Sequence, residues 1–240
     1  MKIEVWSDYA CPFCYIGKRR LEKALSQFAH RDQVQVEFKS FELDPDAPRD
    51  TEKSNHERLA EKYGMTVEKA KQMGENIRQQ AADEGLDFQF DTLVPTNTFD
   101  AHRLTHFAKK KGKGQELAEK LLYAYFTESK HLGDHAVLAN IAEASGLDRE
   151  EALAILKDDT AYAEEVRHDE RAAQQMGVRG VPFFVMNQKY GISGAQPMQT
   201  FLNALQKVWN EEKQASVLQD SGDEGTACGD EGCDIQNNPS

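Results

Sequence analysis

The sequence predicts an α/β fold: a small sheet drawn from the two ends of the chain, interrupted by a large all-helical insertion and followed by a disordered acidic tail. Three observations carry that expectation. Strand patterns occur near both ends, alternating over residues 2–6 and 33–41 and running apolar over 181–186. Between them, from about residue 51 to 176, helix-favouring Ala, Glu, Lys, Gln, Leu and Arg dominate. Residues 212–240 hold seven carboxylates against one lysine and almost no apolar side chains, so this segment cannot bury enough surface to fold alone.

In the first strand Ile3 and Val5 alternate with polar neighbours and Trp6 adds an aromatic. Directly after it comes Cys11-Pro12-Phe13-Cys14, followed by Leu21, Leu25 and Phe28 at helical spacing. Residues 33–41 form the second strand. About 30 residues separate the two strand starts and hold one helix, so the unit is β-α-β and the right-handed crossover makes the strands parallel. Asp44-Pro45-Asp46-Ala47-Pro48 breaks regular structure and opens an insertion over residues 46–159. Its helices stop at Gly64, Gly85, Pro95, Gly112, Gly133 and Gly146. They start after Thr66 (67–82), after Asn97 or Thr98 (99–111), and after Asp134 and Asp148, giving four to six helices. The insertion either caps one face of the sheet or forms a substrate groove opposite the dithiol.

The sheet domain, residues 1–45 and 160–211, resumes with a helix over 161–176. The strand 181–186, a turn at Asn187-Gln188-Lys189 and a strand over 190–193 make a hairpin. A last helix over 197–210 turns Met198, Phe201, Leu202, Leu205, Val208 and Trp209 inward.

The 240 residues carry a net charge of −12, half of it in residues 212–240. An acidic surface repels phosphate backbones and anionic head groups, so neither nucleic acid nor a membrane is expected as a partner. No stretch approaches the roughly 20 apolar residues of a membrane helix. Met1 leads into the first strand without a signal-peptide pattern, so the expected compartment is the cytosol. Four cysteines there do not make a stabilising disulfide framework, which leaves redox chemistry or metal binding. They fall as two close pairs, Cys11/Cys14 and Cys228/Cys233.

The first pair lies at a strand-to-helix junction, where unpaired helix N–H groups and the dipole favour a thiolate, the reactive form of a cysteine. C-x2-C with C-x4-C also supplies four sulfurs for zinc, but an internal proline and an immediate helix suit redox chemistry better. Cys228/Cys233 reads as an auxiliary redox pair, a regulatory or metal-sensing pair, or a pair without function. Asp8, three residues before Cys11, is either a proton acceptor or a structural carboxylate. His102 and His106 have metal-pair spacing, but Arg103 replaces the usual glutamate, so they read as a solvated helix face. His131 and His135 straddle Gly133. Lys109-Lys110-Lys111 reads as a solvated helix end complementing the dipole. No metal site is expected.

Cys11-Pro12-Phe13-Cys14 after a first strand, a long helical insertion, and Gly180-Val181-Pro182-Phe183 opening a later strand together resemble the DsbA-like branch of the thioredoxin superfamily, and within it the cytosolic FrnE-like subgroup. The resemblance spans about residues 1–211. It implies a thioredoxin-like fold and a thiol-disulfide oxidoreductase, in which a cis proline at Pro182 faces the dithiol. Cys11, exposed at the helix start, would form a mixed disulfide that Cys14 resolves, with Pro12, Phe13, Val181 and Pro182 binding substrate. Phe13 stands where the strongest oxidants of the family place a histidine, which points to a reductase or isomerase. Asn97-Thr98-Phe99-Asp100-Ala101-His102-Arg103 also resembles a segment common in the subgroup but reads on its own as a helix cap. The implied partners are protein or small-molecule disulfides and thiols and a cellular reductant. No cofactor is implied beyond the dithiol, with glutathione a possible reductant. Kappa-class glutathione transferases and chromene-carboxylate isomerases share the fold, but typically work through a serine and lack the second cysteine. A redox-dependent holdase is the remaining alternative.

Overall fold

Period-2 alternation places β1 (Lys2–Ser7) as a strand with both faces covered, because Ile3 and Val5 point to one side and Trp6 to the other, and all are buried. The computed structural model describes the backbone of residues 1–220 and the side chains of residues 1–214. After β1 come α1 (Pro12–Gln27), β2 (Gln35–Ser40), α2 (Asn55–Tyr63), α3 (Val67–Asp83), α4 (Phe99–Lys110), α5 (Gly114–Phe126), α6 (His135–Ala144), α7 (Arg149–Lys157) and α8 (Ala163–Gln175). The chain then returns through β3 (Phe183–Met186), β4 (Tyr190–Ser193) and α9 (Met198–Asp220).

The sheet order is β2-β1-β3-β4. β1 and β2 are parallel, with Val5 opposite Phe38, as a β-α-β unit requires. β3 runs antiparallel to β1, with Val5 opposite Phe184, so strands from the two ends of the chain meet at the centre of the sheet. On one face α1 and α9 bury Ile3, Val5, Phe28, Phe184, Met186, Phe201 and Leu205. On the other, α8 packs Ala173 against Trp6 and Val185. The Trp6 indole N–H donates to the Asp169 carbonyl at 2.8 Å, which fixes α8 on the sheet.

Local chemistry explains the insertion. Ser54 and Glu57 form a capping box at α2, and Gly64 ends that helix at φ +60°, a conformation open to glycine. Thr66, Asp134 and Asp148 accept backbone N–H groups at the starts of α3, α6 and α7, as their positions in the sequence predict. Arg103, fully buried, donates to the carbonyls of Ile155, Leu156, Asp158 and Ala161. Its guanidinium so satisfies carbonyls at and beyond the end of α7 and ties them to α4.

Four expectations change. α8 begins at Ala163 rather than 161 because Tyr162 holds φ +59°, which interrupts the helix. The last helix continues to Asp220, ten residues past its expected end, through a stretch without glycine or proline. His102 and His106 do not form a solvated face: both are buried, since α4 is wrapped by α5, α7 and α8. Lys109, unlike exposed Lys110 and Lys111, is largely enclosed. It faces Asp169 and Glu37, each at 3.8 Å.

This charged cluster locks β2 to α4 and α8. Asp169 accepts the Ser40 backbone N–H at 3.0 Å and approaches His106 at 3.2 Å and Lys39 at 3.3 Å. Burial alone would raise the Asp169 carboxyl, but His106, Lys109, the Ser40 N–H and Lys39 hold it down to about 2. Burial pushes His106 and Lys109 below their ordinary values.

Candidate active site

Cys11 is the N-cap of α1, in extended backbone conformation, and Pro12 occupies the first helical turn where its missing N–H costs nothing. The first turn holds no acidic residue, so the positive end of the helix is not neutralised from within. The Cys14 N–H donates to the Cys11 carbonyl at 3.0 Å, and the Cys11 N–H to the Asp8 carbonyl at 3.2 Å. The turn thereby sets the two thiols on one side. Both are free.

The two cysteines differ in surroundings. Cys11 lines a groove of about 740 Å³, together with Pro12, Phe13, Gly180 and Val181. Cys14 is 2% exposed and lies beneath it, with its sulfur accepting the Asp8 backbone N–H at 3.5 Å. Burial and the neighbouring Cys11 push the Cys14 thiol well above its ordinary value, against a hydrogen bond from Ser7. Cys11 is not exposed as the sequence reading expects. It is 4% accessible, because the loop before β3 closes over it and the Val181 carbonyl accepts its S–H at 3.5 Å. Phe13 is 37% exposed at the mouth.

The Val181–Pro182 peptide bond is cis. Pro182 rests on α1 where Gly17 leaves room: a Cβ on Gly17 would lie 3.1 Å from Pro182 Cγ and 3.2 Å from Phe184 Cζ. A glycine is therefore what allows the helix bearing the dithiol to approach the proline loop so closely.

Asp8 is a buried tie between the dithiol turn and the insertion. Its carboxylate accepts the Thr98 hydroxyl at 2.7 Å, the Leu43 N–H at 2.8 Å and the Ala10 N–H at 3.3 Å, with His102 Nε2 at 3.4 Å. Burial would raise this carboxyl, but His102, Leu43 and Thr98 together hold it below its ordinary value. Behind His102, Glu42 is buried, bonded to Arg167, and pushed above the ordinary carboxylate range by burial. One of its oxygens has no partner among the described residues. Thr98, His102 and Glu42 are absent from the sequence-derived site. The segment 97–103 signalled Thr98 and His102, the latter also through its spacing to His106, but it reads on its own as a helix cap. Glu42 had no signal, and in the structure the Thr98 hydroxyl bonds Asp8 rather than capping α4.

The other expected residues lie apart. His135 pairs with Asp100 at 2.6 Å and His131 with the Arg49 carbonyl at 2.8 Å, so these two serve separate contacts. Cys228 and Cys233 lie outside the described residues. Among the described residues no cluster of three or more His, Cys, Asp or Glu side chains is arranged to hold a metal ion, and no helix is long and apolar enough to cross a membrane.

A C-x-x-C at the start of the first helix, a strand-opening proline beside it and this sheet order define a thioredoxin-fold dithiol protein. The chain belongs to the DSBA-like thioredoxin domain family, whose profile it matches over residues 2–206. It is similar to a probable DsbA oxidoreductase of Streptomyces coelicolor, SCO1869, at 42% identity and TM-score 0.84, covering 99% of this chain and 100% of that one. A 2-hydroxychromene-2-carboxylate isomerase shares the fold at 14% identity and TM-score 0.67, over 90% of this chain and 99% of that one. So does the cytosolic disulfide reductase DsbM of Pseudomonas aeruginosa, solved with GSH, at 12% identity and TM-score 0.61, over 88% and 100%. The protein is thus a DsbA-like thiol oxidoreductase.

Proposed function

We propose that the protein is a cytosolic disulfide reductase or isomerase of FrnE-like type, with Cys11 as the attacking thiol and Cys14 as the resolving one. The observation that carries this is the difference between the two sulfurs: Cys11 lines the groove, whereas Cys14 is sealed beneath it with its thiol held protonated. In the reaction the Cys11 thiolate attacks one sulfur of a substrate disulfide, the S–S bond breaks, and the departing thiolate takes up a proton. Cys14 then gives up its proton and attacks Cys11 Sγ, releasing the second substrate thiol. The substrate gains two electrons and two protons, and Cys11–Cys14 becomes a disulfide. Resolution requires Cys14 to lose its proton, and formation of the mixed disulfide assists this by removing the neighbouring thiol that raises it.

Pro12, Phe13 and Val181 line the groove and would bind the substrate beside the attacked sulfur; Pro182, also expected there, is buried against α1 and would act by holding Val181 in place. A cellular thiol such as glutathione would return the protein to the dithiol form. The shared fold of cytosolic DsbM, solved with GSH, is consistent with that compartment and that reductant. The pair of cysteines separates this reading from the serine-based isomerases of the same fold. Incubating Cys14→Ser with a model disulfide and reading intact mass without reductant tests it: a one-to-one adduct on Cys11 is expected, and none in Cys11→Ser. An adduct that survives Cys11→Ser and maps to another residue would refute the assignment.

A further inference from the structure

The groove beside Cys11 has a polar subsite that the dithiol chemistry does not use. At about 740 Å³ the groove falls in the size range of small-molecule sites, and Leu43, Leu59, Met65, Met73, Ile77 and Phe90 make much of its wall apolar. Two of the polar side chains on that wall carry unused donors. Tyr125, on α5, lines the groove and is 3% exposed, yet its hydroxyl makes no hydrogen bond among the described residues. Arg58, on α2, lines the same groove; its Nη2 donates to Asp44 at 3.2 Å, while its buried Nη1 has no partner among the described residues. Of the two, Arg58 Nη1 is the sealed one, and leaving a buried charged donor unmatched costs about 1–3 kcal/mol or more, so native structures keep few such groups without a reason.

At Arg58 two cations meet one carboxylate, although around the groove as a whole Asp8, Asp44 and Glu61 balance Arg58, Lys62 and Lys53. Asp44 is shared by Arg58 and by Lys62, whose Nζ lies 3.8 Å from the same oxygen. Glu61, also on the groove, is bound at 2.6 Å by Lys53. Asp8 faces the groove too, but its carboxylate is occupied by Thr98, Leu43 and His102. Burial and the charge of Asp8 push the Tyr125 phenol above its ordinary value, with Arg58 opposing, so it remains an O–H donor at neutral pH.

We propose that Arg58 and Tyr125 form a carboxylate subsite, which holds the acidic group of a low-molecular-weight disulfide while Cys11 attacks its sulfur. A carboxylate offers two oxygens for one guanidinium and one phenolic donor, and such charge-assisted bonds are about twice as strong as neutral ones. The apolar wall takes the carbon chain between acid and sulfur. This inference rests on the oxidoreductase reading and narrows its substrate class. Electrons balance as before: one disulfide is reduced to two thiols as Cys11 and Cys14 are oxidised.

The test uses the full chain, reduced and freed of reductant, in single-turnover oxidation by two disulfides of similar length. These are the dianion 3,3′-dithiodipropionate and the neutral bis(2-hydroxyethyl) disulfide, with the uncatalysed reactivity of each towards dithiothreitol as reference. The corrected rate-constant ratio is expected to favour the dianion despite the protein's charge of −12. Tyr125→Phe and Arg58→Gln are each expected to lower that ratio about tenfold, the effect of losing one hydrogen bond to a charged group. Because the ratio is measured within each variant, a general loss of folding or of Cys11 reactivity cancels. A ratio that shows no preference in the wild type, or that neither variant moves, overturns the subsite. So does a charge preference seen only between Glu-flanked and Gln-flanked cystine peptides, which would assign the acidic group to a protein substrate. If neither small disulfide nor either peptide oxidises the wild type, the oxidoreductase reading itself fails.

Discussion

Replacing Gly17 by alanine tests the contact that sets the proline loop beside the dithiol. Gly17 lies inside α1, where alanine is worth about 1 kcal/mol more than glycine through helix propensity. Against this, the new Cβ meets Pro182 Cγ at 3.1 Å, Phe184 Cζ at 3.2 Å and the Ala195 backbone at 3.5 Å. Two of the three are ring atoms held in a buried layer, so they yield only by moving the loop or the strand. Overpacking of this kind costs about 1–3 kcal/mol, and the net change is expected to be a loss of up to about 2 kcal/mol. Gly74, inside α3, is the matched control. Its Cβ would lie 3.5 Å from Phe90 and 3.7 Å from His56, which are ordinary contacts, so Gly74→Ala is expected to gain up to about 1 kcal/mol. Urea unfolding of the two variants at neutral pH measures the difference, and the rate of adduct formation at Cys11 reports whether the groove entrance has shifted. Equal stabilisation by both substitutions would refute the claim that the space at Gly17 is tight and that Pro182 is seated on it.

The remaining predictions concern the buried carboxylates and the dithiol. Asp169 titrates at about 2 against an ordinary value of 3.8, so its contribution is present above pH 4 and lost as pH falls towards 2. The shift corresponds to about 2.4 kcal/mol, and Asp169→Asn should flatten this part of the stability–pH curve, measured by urea midpoints at pH 2 to 5. Asp8 is also held below its ordinary value, so its contribution has the same sign. Asp8→Asn leaves His102 without its anion and is expected to cost about 1–3 kcal/mol at pH 7, and a chemical-denaturation curve matching the wild type would refute its role as a tie. In Cys14→Ser the trapped adduct should persist until external reductant is added, a point checked by mass over time.

The architecture was legible where local physics decides. Alternation at Ile3 and Val5, helical spacing at Leu21, Leu25 and Phe28, and caps at Thr66, Asp134 and Asp148 each depend on a few adjacent residues, and the elements stand where those signals put them. The dithiol, too, sits at its strand-to-helix junction because the period changes there. His102, His106 and Lys109 misled, since helical periodicity says which residues share a face but not whether another helix covers that face. α4 is covered by α5, α7 and α8, and its polar side chains survive burial only because Asp8 and Asp169 arrive from other elements to pair with them.

Composition and pattern alone thus determined the kind of chain this is: an acidic α/β chain with a C-x-x-C at the start of its first helix and a block of helices between its outer strands. Only the tertiary structure decided how the two thiols differ. Cys11 and Cys14 have similar neighbours along the chain. Their inequality arises because Val181 comes across from β3's leading loop to cover one while leaving it on the groove, and because Ser7 and Asp8 sit over the other. The same holds for Tyr125 and Arg58, which are 67 residues apart in sequence and line one groove with Cys11 only in the folded chain. Burial and pairing depend on distances between segments remote in sequence, and no local pattern encodes them.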